Sequence, residues 1–232
     1  MNQNKMVFYY LLLSIIAIVF VLTMIFVRSH ANIITFYEKL FVAAIFFASC
    51  LFGISLAIYP NWWRTYTHQT NHTSKVQEEK IKRSFQGHHP DCKTFKSHVI
   101  VIKNKPRCAG CLGLALGSLV SILLMALYLF LPYRLPIATT YILLILGIFA
   151  LLLVYGEIIL NNRHTLIHII INSLLVLSFL VITISVVEIT KGPVYGILTI
   201  LICFLWLDTR IHLSNQQHKN ICASCTKSCK TY

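Results

Sequence analysis

Charge is scarce in this chain. Only 12% of its 232 residues are Asp, Glu, Lys or Arg, against about 25% in a typical soluble domain. That scarcity excludes a large soluble domain beside the apolar segments and leaves one membrane domain with a small polar head. Acidic residues are scarcer still, 7 against 20 basic ones. No internal repeat or low-complexity segment is present. Nor is there a pair of interrupted apolar helices in matching positions, so nothing marks a transport pathway.

What is abundant is apolar sequence: 57% of residues are hydrophobic and mean hydropathy is +0.73. Met6–Val27 is long enough to cross the roughly 30 Å hydrocarbon core at about 1.5 Å per residue. Lys5 before it and Ser29-His30-Ala31 after it imitate a signal peptide. A signal core is about 7–15 residues long, so a retained helix is the expectation. Phe36–Tyr59, Leu112–Leu131, Pro136–Leu160, Leu166–Val187 and Val194–Leu207 complete six spans. The last is short and extends through Asp208 and Arg210 if those side chains snorkel. The fold expected is an all-α membrane bundle of about six transmembrane helices with a cytoplasmic Cys/His-rich head. Helices 1–2 fall in residues 1–60 and helices 3–6 in 112–210. The head comprises a loop at 61–111 and a tail at 211–232.

The basic residues sort by side. With both termini in the cytoplasm, sixteen lie inside and four outside (Arg28, Lys39, Arg134 and Lys191). That bias follows the positive-inside rule and makes anionic lipid headgroups, rather than nucleic acid, the partner of the basic face. The expected location is the cell membrane. An inner, reducing compartment favours metal ligation or thiol redox chemistry over structural disulfides.

Tyr59-Pro60 ends the second span, and Trp62 and Trp63 fit the membrane interface. Asn71-His72-Thr73 has the glycosylation pattern but lies on the wrong side to be modified. Lys75–Phe85 has helix-supporting pairs, Glu78–Lys82 and Glu79–Arg83. Val99–Ile102 reads as a strand and Lys103–Pro106 as a turn. Gly113, Gly117 and Ser121, four residues apart, suit close helix packing.

Six of the eight cysteines sit in two polar stretches. The loop carries His88, His89, Cys92, His98, Cys108 and Cys111. Zinc takes four N/S ligands in a tetrahedron, and Cys92, His98, Cys108 and Cys111 supply such a set, with His88 or His89 as substitutes for His98. Gly110 permits a tight turn between the last two thiols. The tail offers His218, Cys222, Cys225 and Cys229, a second zinc site, a contribution to the first, or ligands for an iron–sulfur cluster. No iron–sulfur spacing is matched in full, so zinc is the expected cofactor. A metal that only staples loop and tail to the bundle accounts for the same pattern. Cys50 and Cys203, inside apolar helices, read as packing residues.

A second constellation lies at the inner membrane surface. Glu157 ends the fourth span, His164, His168 and Asn172 open the fifth at i,i+4 spacing, and Asp208 and His212 repeat that spacing in the sixth. Ionisable groups at membrane depth are site candidates, here for a metal with an open position. Helix capping and pairing with Arg163 and Arg210 explain the same residues.

The stretch from Gly87 to His98, then Cys108-Ala109-Gly110-Cys111-Leu112-Gly113-Leu114, resembles the signature of small, mainly archaeal multi-pass membrane proteins of unknown function; Phe52–Pro60 is similar to the same group. A bacterial domain of unknown function is more loosely similar, with Lys93-Thr94-Phe95 in place of its Arg-Ser-Phe. The resemblance implies a membrane protein with a Cys/His head and names no activity. Three functions follow as expectations: a zinc head of structural or binding role that offers a protein partner a docking point; a redox protein using an iron–sulfur cluster or a dithiol such as Cys222/Cys225; and an intramembrane metal-dependent hydrolase.

Overall fold

The computed structural model describes residues 3–26, 34–58, 99–102, 105–130, 135–160 and 164–223. Six helices dominate: α1 (Gln3–Phe26), α2 (Phe36–Ile58), α3 (Ala109–Phe130), α4 (Ile137–Leu160), α5 (Thr165–Thr190) and α6 (Pro193–Ala223). All six are long and apolar enough to cross a membrane, so the chain has the character of a multi-pass membrane protein. A two-stranded hairpin, β1 (Val99–Ile102) and β2 (Lys105–Cys108), precedes α3.

The expected spans are all present, with shifted ends. α3 starts at Ala109, which puts Cys111 inside its first turn. α6 does not stop near Leu207 or Arg210 but runs unbroken to Ala223. The polar residues beyond Arg210 are ordinary helix formers without Pro or Gly, so nothing ends the helix where apolarity ends. Much of the stretch expected as a free tail is therefore helix. The strand at Val99–Ile102 is confirmed, but its partner begins at Lys105, inside the stretch expected as turn. The helix expected over Lys75–Phe85 lies outside the described residues.

α5 is the central post. Its most apolar window is 56% buried, against 22–33% for the other five helices. α3 and α4 flank it closely, and small residues explain how. A Cβ on Gly117 would stand 2.7 Å from the Ser173 backbone, and one on Gly113 2.7 Å from the Asn172 Cβ. The helix backbones touch there, as the four-residue spacing predicts. Ser173 strengthens the seam by donating across it to the Gly113 carbonyl at 2.8 Å. Gly147 plays the same part for α4, where an added Cβ would meet Ile182 at 2.8 Å.

α1 is held to α6 by Ser14, whose hydroxyl bonds Thr209 at 2.9 Å and whose carbonyl accepts from the Trp206 indole at 3.3 Å. The Tyr155 hydroxyl of α4 donates to the Trp206 carbonyl at 3.0 Å. Trp206 is fully buried where these helices meet.

The two ends of the bundle differ. At the end where α2 and α6 begin and α5 stops, Glu188 is buried and accepts from the Lys39 and Lys191 ammoniums and, at 2.6 Å, from the Tyr128 hydroxyl. The buried carboxylate is thus matched by two cations. Thr35 and Glu38 form a reciprocal cap on α2, Thr35 N–H to the carboxylate at 2.8 Å and Glu38 N–H to the hydroxyl at 3.3 Å. Lys191 closes α5 in the left-handed region (φ 54°), its N–H reaching the Val187 carbonyl at 2.9 Å. The opposite end gathers the start of α3, the end of α4, the start of α5 and the later part of α6, and it holds a cavity.

Candidate functional site

The hairpin sets the geometry of this end. Antiparallel pairing joins Val99 to Cys108 and Ile102 to Lys105, so β2 delivers Cys108 directly onto the first turn of α3. Cys111 follows three residues on, inside that first turn. Their thiols lie within electrostatic reach of each other and neither is in a disulfide. Gly110 keeps the space between them open toward α5: a Cβ there would lie 3.7 Å from the Asn172 amide and 3.8 Å from the Cys108 sulfur.

Beneath the thiols lies a band of buried polar groups. His168 Nδ1 meets Glu157 Oε1 at 3.1 Å, tying α5 to α4. One turn further along α5, Asn172 is 1% exposed and donates through Nδ2 to the His168 carbonyl at 2.5 Å. Arg210 of α6 lies within electrostatic reach of Glu157, Cys108, Cys111 and Tyr155. In this band Asn172 Oδ1 and Arg210 Nε are both buried without a hydrogen-bond partner among the described residues.

All of these groups except Tyr155 line one cavity of about 560 Å³. Its remaining walls are largely apolar, with Leu114, Val176, Phe179, Ile200 and Phe204 among them. Cys50 and Cys203 also line it, so each of the four described cysteines that are free in this structure faces the same space. The packing role expected of Cys50 and Cys203 fits their burial, 6% exposed each; their place on the cavity wall adds to it.

The second constellation divides. Glu157 and His168 pair, and Asn172 joins them. Asp208 and His212 form a looser pair at 3.7 Å on a more exposed part of α6. There His212 stacks on Tyr10 with ring centroids 4.1 Å apart, and Tyr10 lies within electrostatic reach of Asp208. His164 is exposed at the N-cap position of α5 and makes no side-chain cap bond. The five residues thus form two pairs and a solitary histidine. Among the described residues no group of three or more His, Cys, Asp or Glu is placed to hold a metal.

Of the loop and tail ligands, Cys108 and Cys111 are described and come together. His218 and Cys222 fall on the α6 helix, one turn apart in sequence. His88, His89, Cys92, His98, Cys225 and Cys229 lie outside the described residues.

Sequence reasoning missed Arg210 as a site residue, having given it a snorkelling or pairing role. It also missed the Glu188 cluster. The signal for Glu188 was there: a lone carboxylate in an apolar run needs a partner, and Lys191 stands three residues on.

The chain matches no family model, and no curated protein or solved structure is similar to it.

Proposed function

We propose that this is a cell-membrane protein, both termini cytoplasmic, whose polar end carries a structural or partner-binding zinc site formed by Cys92, His98, Cys108 and Cys111. It is the head that the resemblance to the mainly archaeal group implies. The observation that carries the reading is the hairpin. Pairing of Val99 with Cys108 brings the chain one residue after His98 alongside the first thiol, while Cys108 and Cys111 stand side by side, reduced, at the head of α3. Two thiolates three residues apart with a glycine between them fit half of a tetrahedral Cys₃His set. Bound zinc would supply folding energy that a polar head too small for its own core lacks. His218, Cys222, Cys225 and Cys229 supply a second zinc site or a shared one. A protein partner would dock on the head, beside the lipid headgroups that the basic residues face.

A dithiol redox role is the second reading, favoured by the same contact between the Cys108 and Cys111 thiols and by the cavity they face. Elemental analysis with an absorbance spectrum separates the two, using full-length protein purified without added metal beside Cys108→Ser and Cys225→Ser. One zinc, lost in Cys108→Ser, supports the zinc head, and whether Cys225→Ser loses the same ion decides between one site and two. Iron with sulfide, or no metal together with titratable thiols, overturns the zinc reading in favour of redox chemistry.

A further inference from the structure

The cavity itself asks for an occupant independently of any metal. Its polar end presents a donor, Arg210 Nε, and an acceptor, Asn172 Oδ1, both buried and unmatched among the described residues. Buried groups left so are costly until a ligand or water completes them. Glu157 is already engaged by His168, which leaves the Arg210 guanidinium as the charge best placed to recruit an anion. Arginine suits oxyanions because its planar fork matches phosphate and carboxylate oxygens.

The rest of the cavity is apolar and leads outward. Phe52 of α2 and Phe204 and Ile211 of α6 line it, and all three are at least 40% exposed on the bundle surface. A volume of about 560 Å³ falls within the range of about 300–1,000 Å³ typical of small-molecule sites, which are mostly apolar with a few placed polar groups. A polar anchor at the membrane surface, a greasy wall below it and an edge that meets lipid define an amphiphile.

From this we infer that the cavity binds a single-chain anionic lipid. Its phosphate oxygen is held by Arg210, a headgroup hydroxyl is donated to Asn172 Oδ1, and its chain lies between α2 and α6 against Leu114, Phe204 and Leu207. Cys108 and Cys111 also line this cavity, but none of the lipid contacts named here uses a thiol, so lipid binding and zinc content are read as two separate outcomes.

The test uses full-length protein in detergent micelles and native mass spectrometry. The probes are 1-oleoyl lysophosphatidic acid, mono-oleoylglycerol, which has the chain and hydroxyls without the phosphate, and inorganic phosphate. One lysophosphatidic acid per chain is expected, at least ten-fold tighter than mono-oleoylglycerol, with no detectable adduct of phosphate alone. Arg210→Gln should erase the ten-fold preference. Gly53→Leu provides a variant that folds: a Cβ there meets only the Ser118 hydroxyl at 3.7 Å, leucine is a better helix former than glycine, and the side chain enters the cavity. It should abolish lipid binding while leaving zinc content unchanged. Equal affinity for both lipids, phosphate binding as well as lipid, unchanged binding in Gly53→Leu, or no lipid bound would each overturn the proposal.

Discussion

Replacing Glu188 should unseat three helices at once, and the structure says by how much. The carboxylate receives the Lys39 ammonium from α2, the Tyr128 hydroxyl from α3 and the Lys191 ammonium from its own helix end. A hydrogen bond to a charged group contributes about 1.5–3 kcal/mol in water-soluble proteins, whereas interhelical bonds in membranes average nearer 0.6 kcal/mol and reach about 1.7. Lys39 and Lys191 keep 18% and 20% of their side-chain surface exposed, so both can turn toward water when the carboxylate goes. Tyr128 depends on a partner more. Glu188→Met should therefore lower stability by about 2–3 kcal/mol. Lys39→Met alone should lower it by about 1 kcal/mol, since two donors remain. The double variant should be no less stable than Glu188→Met, because removing both ends of a buried pair leaves no stranded charge. Unfolding by denaturing detergent, followed through the buried Trp206, reads all three. Additive losses, within about 0.5 kcal/mol, would refute the idea that this cluster acts as one unit.

Backbone contact between α3 and α5 makes Gly117→Val a loss of about 1–3 kcal/mol by overpacking, whereas Gly53→Ala, with only Ser118 nearby at 3.7 Å, should be neutral or slightly stabilising in the same unfolding assay. Tyr155→Phe removes the bond to the Trp206 carbonyl and should cost about 1 kcal/mol, with a change in Trp206 emission; an unchanged spectrum and midpoint would count against that bond. His168→Ala strands the buried Glu157 carboxylate and should destabilise more than the double change His168→Ala/Glu157→Gln, by about 1–2 kcal/mol; the reverse order in thermal melts would show that the pair does not matter.

The helices were legible because an apolar run of more than 20 residues has one physical solution in lipid: each backbone group must be satisfied within its own segment. Gly113 and Gly117 announced a close helix contact on α3 for a similar reason, since only small residues let backbones touch, but not that α5 is the partner. The end of α6 was not legible. Hydropathy marks where a helix leaves the membrane, and nothing in Ile211–Ala223 marks where the helix itself ends. At the site, i,i+4 spacing identified which residues share a helix face but not which faces meet. His168 turns to Glu157 while His164 stays exposed, although the two look equivalent in sequence. Arg210 escaped for the opposite reason. A basic residue near a span end is ordinarily a surface residue, and only the packing of α6 against α1, α2, α4 and α5 turns this one inward.

α6 is 31 residues long, about 46 Å at 1.5 Å per residue, half as long again as the roughly 30 Å membrane core. The same unbroken rod carries Arg210 on the cavity wall and the backbone of His218 and Cys222 beyond it. A rod of this kind does not kink sharply without a break in its ladder. Tilting or rotating its outer end, as a partner or metal gripping Cys222 would do, must swing Arg210 about the Trp206 pivot. The segment beyond Arg210 is thus a lever, and its fulcrum is the indole buried between α1, α4 and α6.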